Sequence, residues 1–269
     1  MRIIIFCLLY FILISNTNCQ NNSYQKDLQI TYIANEGFLI SFDNKKALID
    51  GLFKSKHYTS PSDSLISKII DNKAPVDNIN YFLVTHDHQD HFNEKLVSDF
   101  LSKNPKTKFI STSESCKKIN ETGLKSTNLI CQNLEIGELK EVNEIKDENF
   151  SVSAFRLKHG TSTDINNLAL IIRINDFNIM HMGDAFILQN QEYIDKINWE
   201  NYKIDILFIG YMDVNQFVLE ILSKTIKPKN LIMMHIHEED IQEAKDRNEK
   251  NSGNAIVFEK ELETRTFNK

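Results

Sequence analysis

Residues 85–92 read Thr85-His86-Asp87-His88-Gln89-Asp90-His91-Phe92, directly behind the apolar run Tyr81-Phe82-Leu83-Val84. Three of the chain's eight histidines fall within the six residues 86–91. A short apolar run of this kind is the signature of a buried strand, so the H-x-H-x-D-H string occupies the loop that leaves it. Imidazole nitrogens and carboxylate oxygens are the common ligands of first-row metals, and a short loop at a strand end can aim several of them at one point. The string is too specific for a merely solvated polar loop, and it marks a metal site.

Outward from this loop the chain alternates short strands with amphipathic helices. Strands are predicted at 29–33, 38–42, 47–49, 107–110, 150–157, 168–174, 177–182, 206–209, 231–234 and 255–258. Asn35-Glu36-Gly37 and Asn175-Asp176 read as hairpin turns. Helices are predicted at 64–71, 93–103 with Asn93 as its cap, 113–120, 214–225 with Phe217, Val218, Ile221 and Leu222 as its apolar face, and 239–248. No internal repeat or low-complexity linker divides the chain, so a single domain over 28–262 is the simplest organisation. Asp50, the 86–91 cluster, His159, Asp184 and His235 each follow a predicted strand almost at once. Strand ends gather on one edge of a sheet, where a shared site can form from segments distant in sequence.

The composition excludes other classes. The hydrophobic content of 41% and charged content of 25% are those of a globular protein, and the net charge of −6 lacks the basic stripe that nucleic-acid binding requires. The partner expected is a small-molecule substrate, with no nucleic acid, and nothing in the sequence sets an oligomeric state. Residues 1–19 stand apart: Arg2 precedes the apolar stretch Ile3–Ile14, which is followed by Ser15-Asn16-Thr17-Asn18-Cys19. A basic start, a short apolar centre and a polar end describe an export signal, and the apolar part is too short to span a bilayer. Either cleavage after Cys19 releases a secreted or periplasmic protein, or Cys19 is lipidated and anchors the chain to a membrane. Residues 16–18 depart from the small residues expected before a lipidated cysteine. Cys116 and Cys131 remain in the exported chain, as one disulfide or as two small core residues.

The chain resembles the metallo-β-lactamase-fold superfamily of metal-dependent hydrolases. Ala47-Leu48-Ile49-Asp50, Thr85–His91, Lys158-His159-Gly160, Met182-Gly183-Asp184 and Lys227-Pro228 through Met234-His235 carry the resemblance, in that order. Ile209-Gly210 and Met233-Met234-His235 are most similar to its lactonase-like and phosphodiesterase-like branch. The resemblance implies an α/β fold, a four-layer αβ/βα sandwich with metals at one edge. It implies one divalent ion held by His86, His88 and His159, a second held by Asp90, His91 and His235, and Asp184 bridging both. Zinc is the expected metal, with manganese or iron as alternatives. Asp90 and Asp184 are then the catalytic carboxylates, and Asp50 orients a ligand histidine. Two such cations can acidify a water held between them, and the hydroxide would attack an ester, lactone or phosphodiester. Enzymes that open β-lactams typically have a cysteine or a serine-containing arrangement where this chain has Gly183-Asp184, which argues against antibiotic hydrolysis. A mononuclear iron oxygenase using His86, His159 and Asp184, and a metal-stabilised binding protein without turnover, are the competing expectations.

Among the remaining histidines, His237 competes with His235 as a ligand, though the strand-end position favours His235. Alternation along the strand points His181 away from Asp184, into a packed or hydrogen-bonded role. His57 is expected at the surface, beside Tyr58 in a loop of the kind that overhangs such sites. Tyr211 and Met212 are candidate lining for the substrate pocket.

Overall fold

The computed structural model describes residues 27–251 and 254–269; the segment expected as an export signal, 1–19 with Cys19, lies outside them. Strands β1 (Leu28–Ala34), β2 (Gly37–Phe42) and β3 (Lys45–Ile49) form an antiparallel meander. To β3 are added, in parallel, β4 (Tyr81–Leu83), β5 (Lys108–Thr112) and β6 (Leu129–Gln132). A second sheet begins with the antiparallel strands β7 (Leu139–Glu141), β8 (Phe150–His159), β9 (Ser162–Ile174) and β10 (Phe177–His181). It continues in parallel through β11 (Ile206–Gly210), β12 (Asn230–Met234) and β13 (Ala255–Val257). Strand β14 (Thr264–Phe267) returns to the first sheet and pairs antiparallel with β1, so each sheet has seven strands. The fold thus runs past residue 262 to Phe267.

Period-two alternation decides which side chains face where. Ile40, Ala47, Ile49, Tyr81, Leu83 and Ile110 face the second sheet and join Phe150, Leu170, Phe208 and Ile232 in one continuous core. Phe38 meets Phe208 with ring centroids 4.5 Å apart, and Tyr81 stacks on Phe150 at 3.7 Å. The alternate residues Leu39, Leu48, Phe82, Val84 and Phe109 face outward. They are covered by α1 (Asp63–Ile70), α2 (Glu94–Lys103) and α3 (Ser113–Glu121), which contribute Leu65, Ile69, Val97, Phe100 and Ile119. On the far side α4 (Ile187–Ile194), α5 (Gln216–Lys224) and α6 (Ile241–Asn251) supply Ile187, Ile194, Val218, Leu222 and Ala244. Helix, sheet, sheet, helix: this is the four-layer αβ/βα sandwich.

Local signals set most helix starts. Asn93 Oδ1 accepts from the Leu96 N–H, as the sequence predicted, and Ser62, Thr112 and Asn215 cap their helices in the same way. In α5 the predicted apolar face is only half used: Val218 and Leu222 are buried, whereas Phe217 is 75% exposed. Helix α4 was not predicted. Its N-cap, Phe186, has no capping side chain, and the Ile187 N–H donates instead to Asp213 Oδ2 at 2.6 Å. Cys116 of α3 and Cys131 of β6 form a disulfide, which resolves the alternative in favour of the bond. Among the described residues no helix is long and apolar enough to cross a membrane.

Candidate metal centre

Strands β3, β4, β8, β10 and β12 all end at the same edge of the sandwich. Beyond β4 the chain turns tightly: the His88 carbonyl accepts from the N–H groups of His91 and Phe92. This turn explains the spacing of the string. It sends His86, His88, Asp90 and His91 inward, while Asp87 pairs with Lys118 at 2.6 Å and Gln89 is exposed. At the ends of β3 and β12, Asp50 and His235 take left-handed backbone conformations, φ +42° and +59°. Such a conformation costs about 1–3 kcal/mol in a non-glycine residue and persists where surrounding structure imposes it.

The seven residues expected as ligands converge, and Asp184 divides them. Its Oδ2 lies 2.9 Å from His159 Nε2 and 3.7 Å from His86 Nε2. Its Oδ1 lies 3.0 Å from His91 Nε2 and 3.9 Å from His235 Nε2. The His88 ring sits 4.6 Å from the rings of both His86 and His159. Asp90 Oδ2 lies 3.5 Å from His235 Nε2 and 3.7 Å from His91 Nε2. Despite these short separations, Nε2 of His86, His91, His159 and His235 and Oδ1 of Asp184 are buried without a hydrogen-bond partner. Buried polar atoms are almost always paired, and so many orphans aimed at one region are the donor set of a cation. The residues present fit a metal: His86, His88, His159 and Asp184 lie within reach of one ion, and His91, Asp184 and His235 of another.

Behind these donors lies a hydrogen-bonded support. Asp50 is fully buried; Oδ1 accepts from the Thr85 N–H at 2.9 Å, and Oδ2 accepts from Thr85 Oγ1 at 2.7 Å and His91 Nδ1 at 2.9 Å. Because the Thr85 hydroxyl proton goes to Asp50, its oxygen accepts from His86 Nδ1 at 3.1 Å. With a cation at Nε2, both imidazoles would keep their proton on Nδ1, the form that ligates metals. The Asp184 turn is clamped by Asn167, whose Oδ1 accepts the Asp184 N–H at 3.0 Å and whose Nδ2 donates to the Met182 carbonyl at 3.2 Å. Only glycine fits at 183: φ is +54°, and a Cβ there would lie 2.4 Å from Asn167 Oδ1.

Glu36 stands in the same cluster, and nothing in the sequence announced it. The Asn35-Glu36-Gly37 turn does form, but Glu36 is only 1% exposed at its tip. Its Oε2 lies 3.5 Å from His91 Nδ1 and its Oε1 3.9 Å from His235 Nε2. Burial and the neighbouring Asp184 push the Glu36 carboxyl well above the usual carboxylate range. Asp184 also suffers from burial, yet His91, His159 and His86 hold it well below that range. Burial alone would depress His91, but Asp184, Glu36 and Asp50 outweigh it and raise its imidazole well above the ordinary value. Burial, together with neighbouring histidines, keeps His86 and His88 low and therefore neutral.

His181 takes the hydrogen-bonded role expected of it. Fully buried, its Nε2 donates to the Glu36 carbonyl at 3.0 Å and its Nδ1 accepts the Gly183 N–H at 3.2 Å. His57 is exposed, while Tyr58 overhangs the centre, its ring 4.5 Å from His235 and 4.1 Å from His237. Burial and the carboxylates of Asp90, Asp184 and Glu36 push the Tyr58 phenol up to about 12. His237 therefore packs on Tyr58, and His235 occupies the cluster.

A cavity of about 130 Å³ opens on the donors, lined by Glu36, His159, Asp184, His235, Phe186 and Gly210 among others. Tyr211 and Met212 do not line it, contrary to the sequence expectation. At Gly210 the chain leaves β11 for a single 3-10 turn, Tyr211–Asp213. That turn carries the Tyr211 hydroxyl inward to Asp240 Oδ2 at 3.1 Å and leaves Met212 57% exposed.

Comparison with known proteins agrees with this geometry. A profile of the beta-lactamase superfamily domain matches residues 29–235. A UPF0173 metal-dependent hydrolase of Saccharolobus solfataricus is 25% identical over 202 residues, covering 75% of this chain and 80% of its own length. Among solved structures, Igni18, a metallo hydrolase of Ignicoccus hospitalis, superposes with a TM-score of 0.63 at 20% identity, covering 90% of this chain and 99% of that one. CmlA, a diiron beta-hydroxylase of Streptomyces venezuelae, shares the fold with a TM-score of 0.56 at 12% identity, covering 90% of this chain and 54% of its own.

Proposed function

The chain belongs to the beta-lactamase superfamily, and we propose that it is a metal-dependent hydrolase that holds two divalent cations across Asp184 and cleaves an ester, lactone or phosphodiester bond in a small molecule. The observation that carries this reading is the division of donors about the two oxygens of one buried carboxylate, with unpartnered Nε2 atoms on each side. His86, His88 and His159 would hold the first cation, Asp90, His91 and His235 the second, with Asp184 shared. When bound, such a pair lowers the pKa of a water towards about 7 and polarises a carbonyl or phosphoryl oxygen.

The chain's own residues supply the rest. Asp184 sets the separation of the two positions and offsets part of their mutual repulsion, and Asp90 adds a second carboxylate beside His235. Asp50 and Thr85 hold His91 and His86 in the ligating tautomer. Phe186 and Ala185 give the cavity an apolar wall, and its volume admits the reacting end of a substrate rather than the whole of a drug-sized one, for which about 300–1,000 Å³ is usual. Export is supported by the basic and apolar pattern of residues 1–19 and by the Cys116–Cys131 bond, since disulfides persist in oxidising compartments.

Asp184→Asn tests this function. The variant should keep its fold, lose about one metal equivalent by elemental analysis and lose at least about 100-fold in kcat on a panel of lactones and phosphodiesters. Retention of two metals with near-normal turnover would overturn the two-metal reading. The oxygenase alternative rests on fold likeness to the diiron hydroxylase, and substrate-dependent oxygen consumption by the purified protein would favour it.

A further inference from the structure

We propose that Glu36 is itself a metal ligand, supplying a further carboxylate to the cation held by Asp90, His91 and His235 and turning that position towards hard divalent ions such as manganese or iron. The proposal rests on the two-metal reading above. Both Glu36 oxygens are buried and neither has a hydrogen-bond partner. Buried carboxyl oxygens ordinarily have hydrogen-bond partners, and a pair of them left without any points to a coordinated cation. Glu36 also lines the cavity beside Asp184 and His235, so its carboxylate faces the donors rather than the apolar core.

The distances fit coordination. Glu36, His91, Asp184 and His235 each offer a donor atom within 4.8 Å of the others. Two donors on one ion, each bonded at about 2.1 Å, lie no more than about 4.2 Å apart. Glu36 Oε1 meets this limit at 3.9 Å from His235 Nε2. A purely supporting role towards His91 is already filled: the single Nδ1 proton goes to Asp50 at 2.9 Å, and Glu36 lies outside hydrogen-bond geometry at 3.5 Å.

The backbone holds Glu36 where it is. Asn35 takes φ +46° to reverse the chain, and a Cβ on Gly37 would lie 2.8 Å from the Asp50 carbonyl, so the turn is pressed against the end of β3. From the other sheet, His181 donates to the Glu36 carbonyl and accepts from Gly183, locking this turn to the one that presents Asp184. Charge balance agrees. Glu36, Asp50, Asp90 and Asp184 together carry a formal charge that two divalent cations would neutralise. Three of those carboxylates beside two imidazoles make an oxygen-rich set, which suits manganese or iron better than a thiolate or all-imidazole set would.

The test compares the wild-type protein with Glu36→Gln and Glu36→Asp after chelator treatment, titrating each with Mn²⁺ and Zn²⁺ by calorimetry and counting bound metal by elemental analysis. Wild type should take two equivalents. Glu36→Gln should keep the first and bind the second at least about 10-fold more weakly, with a larger loss for Mn²⁺ than for Zn²⁺. On metal addition, Glu36→Gln should gain less in melting temperature than wild type. A residue of merely structural importance would shift the melting temperature equally with and without metal. If Gln at this position prevents folding, Glu36→Asp, which keeps the charge but shortens the reach, should weaken the second site while retaining its preference for Mn²⁺. Two equivalents bound by Glu36→Gln with wild-type affinities and wild-type Mn²⁺/Zn²⁺ ratio would overturn the proposal and leave the two-metal reading intact. A wild-type protein that takes only one equivalent would overturn both.

Discussion

Replacing Asp50 by asparagine changes almost no volume but reverses the chemistry of one terminal atom, and its consequence can be followed bond by bond. If the amide oxygen keeps the Thr85 N–H, the amide nitrogen faces Thr85 Oγ1 and His91 Nδ1, which both donate to Oδ2 in the native protein. To avoid a clash of donors, His91 must move its proton from Nδ1 to Nε2, and Nε2 is the atom 3.0 Å from Asp184 that faces the cation site. The substitution therefore removes a ligand without touching it. Loss of such a supporting carboxylate typically weakens metal binding about 10–100-fold, equivalent to about 1.4–2.7 kcal/mol. The fold also loses a charge-assisted hydrogen bond to a fully buried group, worth about 1.5–3 kcal/mol. We expect calorimetric titration of Asp50→Asn to show a normal first site and a second weakened by this factor, with the metal-free protein less stable in urea by about 3 kcal/mol. Nitrogen NMR of His91 should report protonation at Nε2. Unchanged second-site affinity with the proton still on Nδ1 would refute the reasoning.

Three further outcomes follow from the geometry. His235→Ala should lose about one metal equivalent while His237→Ala keeps both by elemental analysis, because only His235 reaches Asp90 and Asp184. Gly183→Ala should lower stability by about 2–4 kcal/mol, from its left-handed backbone and its overlap with Asn167, whereas Gly160→Ala, equally left-handed at φ +54° but with open space around it, should lose only about 1–2 kcal/mol in urea unfolding. Burial raises the Asp213 carboxyl from 3.8 to about 6, against the Ile187 N–H that lowers it. A raised folded-state value makes this group's contribution complete below about pH 4 and lost as pH rises through about 6, so Asp213→Asn should gain on wild type by about 2–3 kcal/mol between pH 4.5 and 7.5; a pH-independent difference in urea unfolding would contradict this.

Much of the centre was legible because metal chemistry restricts residue type and strand ends restrict place. The H-x-H-x-D-H string, Asp50, His159, Asp184 and His235 each pair a scarce ligand side chain with an apolar run just before it, and the structure brings all of them to one edge. Alternation also placed His181 correctly, and Asn93 was visible as a cap because its partner lies three residues away. Elements went unseen where their cause is remote or their signal weak. Helix α4 starts on a carboxylate 26 residues downstream, and β7 and β14 are short edge strands with mostly exposed or half-exposed side chains. Tyr211 and Met212 were misplaced because a 3-10 turn after Gly210 rotates both away from the cavity.

Sequence alone placed most strands and helices by local periodicity and marked the centre by the few side chains able to bind metals, while the layered sandwich was implied by the resemblance to the metallo-β-lactamase-fold superfamily. Tertiary structure decided which donors share which oxygen of Asp184, and it decided that a glutamate in a polar Asn-Glu-Gly turn is buried. Polar residues at a hairpin tip ordinarily face water. Here Gly37 lets the tip press against the Asp50 strand end, and His181, 145 residues further along, draws it under the second sheet. Burial of Glu36 is a property of that contact between the two sheets, and no window of neighbouring residues contains it.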